Sequence, residues 1–381
     1  MTTPTTTDVA LKWVLTLRSG NSCSERTEDG PFPVMGAAGP IGRTSRANTR
    51  SGSTLIGRVG TVGAINLARE DCWASDNVIV ASPGPTLESR YTYYLLMSAR
   101  LPELASKTAQ PLLTASAVAG LRFPIPPLEE QRRIADFLDA ETARIDRLIR
   151  KFSHQRELLV ERDRAAFPLG VAGARLGEGT VDTGLPWLPS MHPQAQLVPL
   201  IRVLQLQRGA DLTDDQRKPG EVPVVTTAGP NGWHDVALAS GPGVVIGRYG
   251  SVGNVHWIEQ SYWPHNTTLY VKNFNSNDPR YCFHVLRSLP YEMEQARAAV
   301  PGVNRNDLHR NYVALLPRDL QFRVADQLDS EMAQVASTFE RIKRAEALLA
   351  ERRQALITAA ATGQFDVSAA SGRNVTDGVS A

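Results

Sequence analysis

Two segments of this chain combine the residue types best suited to holding an anionic ligand: IGRVGTVG, from Ile56 to Gly63, and IGRYGSVG, from Ile246 to Gly253. Glycine lets a backbone approach a ligand closely, and an arginine between glycines offers a planar fork of donors that suits a phosphate or a base edge. On that reading Arg58 and Arg248 are the anchors, with Thr61, Tyr249 and Ser251 as neighbouring donors. The same glycines also suit a tight hairpin or bulge that leaves both arginines merely exposed. The sequence leaves both readings open.

Other chemistry finds no motif. Glycine at every third position is the wrong spacing for a dinucleotide fingerprint, and no G-x-x-x-x-G-K-[ST], H-E-x-x-H or G-x-S-x-G occurs. An adenine-modifying enzyme would need a D/N-P-P-Y/F loop, whereas the double proline here reads Ile125-Pro126-Pro127-Leu128. The seven histidines form no ligand pair, and Cys23, Cys72 and Cys282 are single and far apart, so they read as reduced, mostly buried thiols. No catalytic residue, no metal ligand and no cofactor is expected, and the chain reads as a non-enzyme.

The arginine segments are one block of a tandem repeat with a shift of 190 residues. The same shift pairs Pro33-Val34 with Pro223-Val224, Gly39-Pro40 with Gly229-Pro230, Trp73 with Trp263, and Arg90-Tyr91 with Arg280-Tyr281. It also pairs Gln131, Asp136 and Asp139 with Gln321, Asp326 and Asp329. Asn77 matches Asn266 at a shift of 189, which points to a small indel there. Residues that differ between copies are the candidates for differing specificity. They are Arg43, Thr44 and Arg46 against Trp233, His234 and Asp235, and Thr114, Ala115 and Ser116 against Asn304, Arg305 and Asn306. The candidate nucleic-acid contacts are thus Arg43, Arg46, Arg58, Thr61, Thr114, Ser116, His234, Arg248, Tyr249, Ser251, Asn304 and Arg305.

The elements that must position these residues follow from the pattern. Each copy opens with short apolar runs such as STLIGRVG and TTLYVKN, broken by Gly, Pro and Asn, which predict strands and turns. A short helix follows, and each copy closes in a long one. Apolar residues recur every seventh position at Leu138, Ile145, Phe152 and Leu159, and at Leu328, Val335, Ile342, Leu349 and Leu356, which predicts a coiled-coil seam. Leu148 adds an intermediate seam position. The fold class is mixed α/β (α+β): two tandem domains, each followed by a long helix, with the helices paired antiparallel about a pseudo-two-fold axis. Helices of roughly 40 residues would span about 60 Å and could act as a spacer. The expected boundaries are 1–127 and 196–317 for the domains and 128–166 and 318–362 for the helices. Residues 167–195 read as a Gly/Pro-rich linker and 363–381 as a polar tail.

Composition fits this picture. Hydrophobic residues make up 42% and charged residues 21%, enough for two cores. A net charge of +2 announces no bulk nucleic-acid affinity, although the basic residues are overwhelmingly Arg. The polar start MTTPTTTDVA carries no signal peptide and no later run approaches membrane-spanning length, so a cytoplasmic location is expected.

The run PIPPLEEQRRIADFLDAETARIDRLI resembles the conserved central region of type I restriction-modification specificity subunits, and LITAAATGQFDV resembles the end of their second conserved helix. The second copy departs in LPRDLQFRVADQLD, which lacks the double proline and the acidic pair. The resemblance implies two target-recognition domains that each read one half of a bipartite site in double-stranded DNA. It implies partners as well: two methyltransferase subunits, which modify adenine from S-adenosylmethionine, and ATP-consuming restriction subunits. None of that chemistry would sit in this chain. The alternatives are the specificity subunit of a related methyltransferase-nuclease system and a coiled-coil adaptor that binds no DNA.

Overall fold

The β-branched and aliphatic runs around each Gly-Arg segment become short strands, closed by turns where Gly, Pro and Asn supply the backbone angles. The computed structural model describes residues 8–106, 111–213, 215–249, 253–291 and 302–367. It divides into two units, Met1–Ser153 with Lys343–Ala381, and His154–Ile342.

The first unit holds β1 (Asp8–Ala10), β2 (Leu15–Ser19), β3 (Phe32–Gly36), β4 (Gly39–Thr44), β5 (Thr54–Gly57), β6 (Ile65–Leu67), β7 (Trp73–Ala74), β8 (Val78–Pro83) and β9 (Arg122–Pro124). Its helices are α1 (Ser89–Ser98), α2 (Ala115–Ala119) and the start of α3 (Leu128–Val171). One sheet has the order β2-β8-β5-β6, a second β4-β3-β7, and β1 pairs with β9. Within the second sheet β3 is antiparallel to β4 and parallel to β7.

The second unit repeats this plan. It holds β10 (Val181–Leu185), β11 (Leu188–Met191), β12 (Gln196–Pro199), α4 (Leu200–Val203), β13 (Gln205–Arg208), β14 (Val222–Thr226), β15 (Gly229–His234) and β16 (Gly243–Gly247). Then come β17 (Val255–Ile258), β18 (Trp263–Pro264), β19 (Thr268–Asn273), α5 (Pro279–Arg287), α6 (Arg305–Arg310), β20 (Tyr312–Leu315) and the start of α7 (Arg318–Ala361). Its sheets have the orders β13-β19-β16-β17 and β15-β14-β18, with β12 on β20 and a separate β10–β11 hairpin.

The long helices carry the internal repeat residue for residue. Each is 44 residues long, and each is stopped by a glycine in the left-handed region, Gly173 (φ +70°) and Gly363 (φ +75°). The two helices run antiparallel in the first unit: Asp146 pairs with Arg353 at 3.3 Å and the Ser153 hydroxyl donates to Glu346 at 3.0 Å, so partner numbers fall as the others rise. Leu138, Leu356 and Ile357 are buried there together with Tyr91 and Leu95 of α1. In the second unit Phe167 and Val171 of α3 join Leu320, Val324 and Leu328 of α7. Each unit thus packs the start of one long helix and the end of the other under its own sheets.

The seam residues divide by burial. Leu138, Ile145, Leu328, Ile342 and Leu356 are buried, and Phe152, Leu159, Val335 and Leu349 are half-buried. Leu148 is 40% exposed. Residues 167–195 depart from the expected linker. α3 runs through Pro168 to Val171: the proline removes one intrahelical hydrogen bond near the end of the helix without ending it there. Phe167, Val171, Ala172, Leu188 and Ala195 are then buried in the core of the second unit, so this segment is packed structure and not a loose linker.

The register of the repeat also corrects one pairing. The Asn77 carbonyl accepts from the Arg58 N–H at 2.9 Å, and the Thr267 carbonyl accepts from the Arg248 N–H at 3.0 Å. Asn77 therefore corresponds to Thr267, at the common shift, and no indel falls at that point.

Among the cysteines, Cys72 and Cys282 are buried and Cys23 is half-buried. Burial, with Asp71 and Glu70 nearby, pushes the Cys72 thiol up to about 11, and burial raises Cys282 further. A thiol reagent at pH 8 meets only roughly a thousandth of Cys72 as thiolate. The expected result is rapid labelling of Cys23 alone in the native protein, with Cys72 and Cys282 labelled only in denaturant. Equal native rates at all three would contradict the packing.

Candidate nucleic-acid interface

The described parts of the Gly-Arg segment make matching backbone contacts in both units, and in the first unit each glycine has a conformational or steric reason. The Gly57 N–H donates to the Ala64 carbonyl at 2.7 Å and the Gly63 N–H to the Gly57 carbonyl at 2.8 Å, which closes the loop between β5 and β6. A side chain on Gly57 would collide with the Thr61 carbonyl, and Gly60 and Gly63 sit at φ +77° and +79°. In the second unit Gly247 donates to Asn254 at 2.9 Å and Gly253 sits at φ +82°. The glycines are thus required by the turn itself, and the arginine is what the turn presents.

Both arginines are held by their backbones. The Arg58 carbonyl accepts from the Leu113 N–H and the Arg248 carbonyl from the Val303 N–H, each at 3.1 Å. Their side chains are half-buried, and among the described residues the Arg58 guanidinium has no hydrogen bond or ion pair. The Arg248 guanidinium lies 4.5 Å from the ring centre of Tyr249, which is 40% exposed. Thr61 is exposed on the same turn. Ser251 lies outside the described residues.

The remaining candidates are placed less uniformly. Arg46 and Arg305 are exposed. Thr114 and Asn304 are helix caps: Thr114 accepts from the Ala117 N–H at the start of α2, and Asn304 from the Asn306 N–H at the start of α6. The Ser116 hydroxyl lies 3.0 Å from that of Thr114. Arg43 turns back on its own unit and donates to the Gly30 carbonyl and, at 2.8 Å, to that of Pro31. His234 corrects the expectation of an exposed contact. It is 6% exposed, its Nδ1 accepts from the Lys218 N–H at 3.3 Å, and its ring packs edge-on against Trp263. It is a packing residue, as is its counterpart Thr44.

The residues shared between copies outside the turn join the sheet domain to the long helix. Gln131 is fully buried; its amide donates to the carbonyls of Thr86 and Pro126, and its oxygen accepts from the Glu88 N–H that opens α1. Gln321 does the same with Asn277, Leu316 and the Asp278 N–H before α5. Arg90 then reaches Asp136 and Asp139 at 2.8 Å, and Arg280 reaches Asp326 at 2.8 Å and Asp329 at 3.2 Å. Where Tyr94 donates to Asp139, the second unit has His284 on Asp329, and burial of the imidazole outweighs that carboxylate to hold its pKa below the usual histidine range. Among the described residues no group of His, Cys, Asp and Glu could hold a metal ion, and no helix is long and apolar enough to cross a membrane.

Residues 6–152, which span the first sheet domain and the start of α3, match the family model described as type I restriction modification DNA specificity domain. This segment is similar to that family. The chain is also 28% identical over 133 residues to the type I restriction enzyme EcoprrI specificity subunit of Escherichia coli. That match spans a third of this chain and a third of the relative. Among solved structures, one reported for the assembly and conformational transition of the type I R-M system aligns with a TM-score of 0.73 at 19% identity, covering 94% of this chain and 98% of that one. The HsdS subunit from Thermoanaerobacter tengcongensis aligns at 0.56 and 19% identity, covering 95% and 98%. Both likenesses show the fold: tandem mixed α/β domains with long helices.

Proposed function

We propose that this chain is the DNA-specificity subunit of a type I restriction-modification complex, which reads a two-part site in double-stranded DNA and positions partner subunits on it. The observation that carries the reading is the duplication. Two units hold equivalent arginines, Arg58 and Arg248, on matching backbone contacts and carry different exposed side chains around them, as two readers of different half-sequences on one common backbone would. The specificity domain in the first unit and the shared fold of the second support it. Arg58, Arg248 and Thr61 are the phosphate-facing residues, and base choice lies in residues that differ between the units.

The partners in this proposal are two methyltransferase subunits and restriction subunits, and the chain itself carries no catalysis. Exposed apolar residues at equivalent places on the long helices, Leu158 at 50% and Leu348 at 58%, fit one repeated protein contact. The test is co-expression with a methyltransferase subunit encoded alongside, followed by methylation-sensitive sequencing of the host genome. The expected result is adenine methylation at a bipartite motif that needs both proteins. Methyl transfer by the purified chain with S-adenosylmethionine alone, or methylation that does not need this chain, would overturn the proposal.

A further inference from the structure

Two of the exposed positions that differ between the units, Ile41/Asn231 and Arg43/Trp233, lie on one element, the outer strand of a hairpin. β4 and β15 lie at the edge of their sheets, paired on one side with β3 and β14. In each the two end residues are buried and the four between them are exposed: Pro40, Ile41, Gly42 and Arg43 in one, Pro230, Asn231, Gly232 and Trp233 in the other. Ile41 is 46% exposed and Trp233 58%. Apolar residues on an open sheet edge are a liability unless something covers them.

The surroundings say what fits. Each hairpin tip touches the arginine turn of its own unit: the Thr227 hydroxyl donates to the Tyr249 carbonyl at 2.9 Å, and the Ala37 methyl lies 3.2 Å from where a side chain on Gly57 would stand. An arginine flanks the same glycine of the strand in both units. Arg26 lies 3.8 Å from where a side chain on Gly42 would begin, and the Arg217 guanidinium 2.9 Å from that point on Gly232. Each unit thus places a flanking arginine beside its strand and the arginine turn against its hairpin tip, two cations that suit a polyanion. A two-stranded ribbon has the width of the DNA major groove.

We propose that β4 and β15 are the base-reading edges, with Ile41 reading in the first unit and Asn231 and Trp233 in the second. This rests on the proposed function and deepens it. Asparagine suits the N6 and N7 edge of adenine, and an aliphatic side chain suits the thymine methyl. Arg43, the counterpart of Trp233, is held on the Gly30 and Pro31 carbonyls and supports the hairpin without reading. Base choice thus differs between units because the strand differs, while the shared turn sets the distance to the backbone.

The experiment uses the co-expressed complex and reads the methylated motif genome-wide, with affinity for the specific duplex measured alongside. Asn231→Ala and Trp233→Ala should relax one half-sequence only, with affinity down about tenfold to a hundredfold. Ile41→Ala should relax the other half-sequence. Asn231→Asp, which keeps the shape of an exposed residue, should shift the preference at one position from adenine towards cytosine. Thermal melting of each variant separates misfolding from misreading. Well-folded variants with an unchanged motif overturn the strand assignment and leave the specificity reading intact. A wild-type complex with no bipartite motif overturns the specificity reading itself.

Discussion

Replacing Gln131 or Gln321 with leucine is expected to destabilise the unit that contains it by about 3 kcal/mol, although neither residue touches the proposed DNA surface. Leucine nearly matches glutamine in volume, so the loss is not a cavity. What it removes is the side chain that satisfies the Glu88 N–H and the Thr86 and Pro126 carbonyls, or the Asp278 N–H and the Leu316 carbonyl. An unpaired polar group at such a site costs about 1–3 kcal/mol, and water can reach a part of them. Denaturant unfolding gives the magnitude. Hydrogen exchange gives the mechanism, since the Glu88 or Asp278 amide should lose its protection while distant amides of the same unit change less. The two substitutions share no partner, so their costs should add. An unchanged unfolding midpoint would mean that the glutamines are dispensable and that the arginine–aspartate pairs and the apolar packing hold the seam between sheet domain and helix.

That seam explains what the sequence made legible. The repeat was readable because both copies must solve the same joint, and the solution is specific: a buried glutamine one turn into the helix, then two aspartates to receive the arginine of the short helix. The seven-residue apolar period was readable because Leu138, Ile145, Leu328, Ile342 and Leu356 are all buried. Leu148 is 40% exposed, and period alone does not tell a seam from a neighbouring exposed face. The packed stretch after Phe167 was hidden by its Gly and Pro content. There glycines end a helix and turn a hairpin, whereas composition reads them as a linker. His234 and Arg43 were read as contacts because they follow a shared Gly-Pro and differ between copies. Differences in a repeat mark positions free to vary, and these include packing positions: His234 fills the space beside Trp263, and Arg43 holds its own backbone. The four consecutive exposed residues of β4 and β15 gave no period-two signal, because an edge strand open on both faces does not alternate.

The double substitution Arg58→Ala with Arg248→Ala should weaken binding to any duplex by about tenfold to a hundredfold at ~0.15 M salt, without changing the methylated motif. Each arginine is held in its unit by matching contacts of its backbone N–H and carbonyl, and neither has an ion-pair partner among the described residues. A group that is common to two readers of different half-sequences contacts what those sequences share, which is the phosphate backbone. Neutralising one phosphate releases condensed counterions, so each loss should also flatten the dependence of log affinity on log salt by roughly one unit. Arg58→Lys should keep that slope, because a lysine still supplies the point charge, and should lose only the geometric part of the affinity. Titration of a fluorescent duplex at several salt concentrations measures both quantities. Methylation sequencing of the co-expressed complex supplies the third. An unchanged slope would remove the arginines from the phosphate contact, leaving the glycine turn as architecture alone. A changed motif would make them base readers, and the division between a shared anchor on the turn and a variable reader on the hairpin would be wrong.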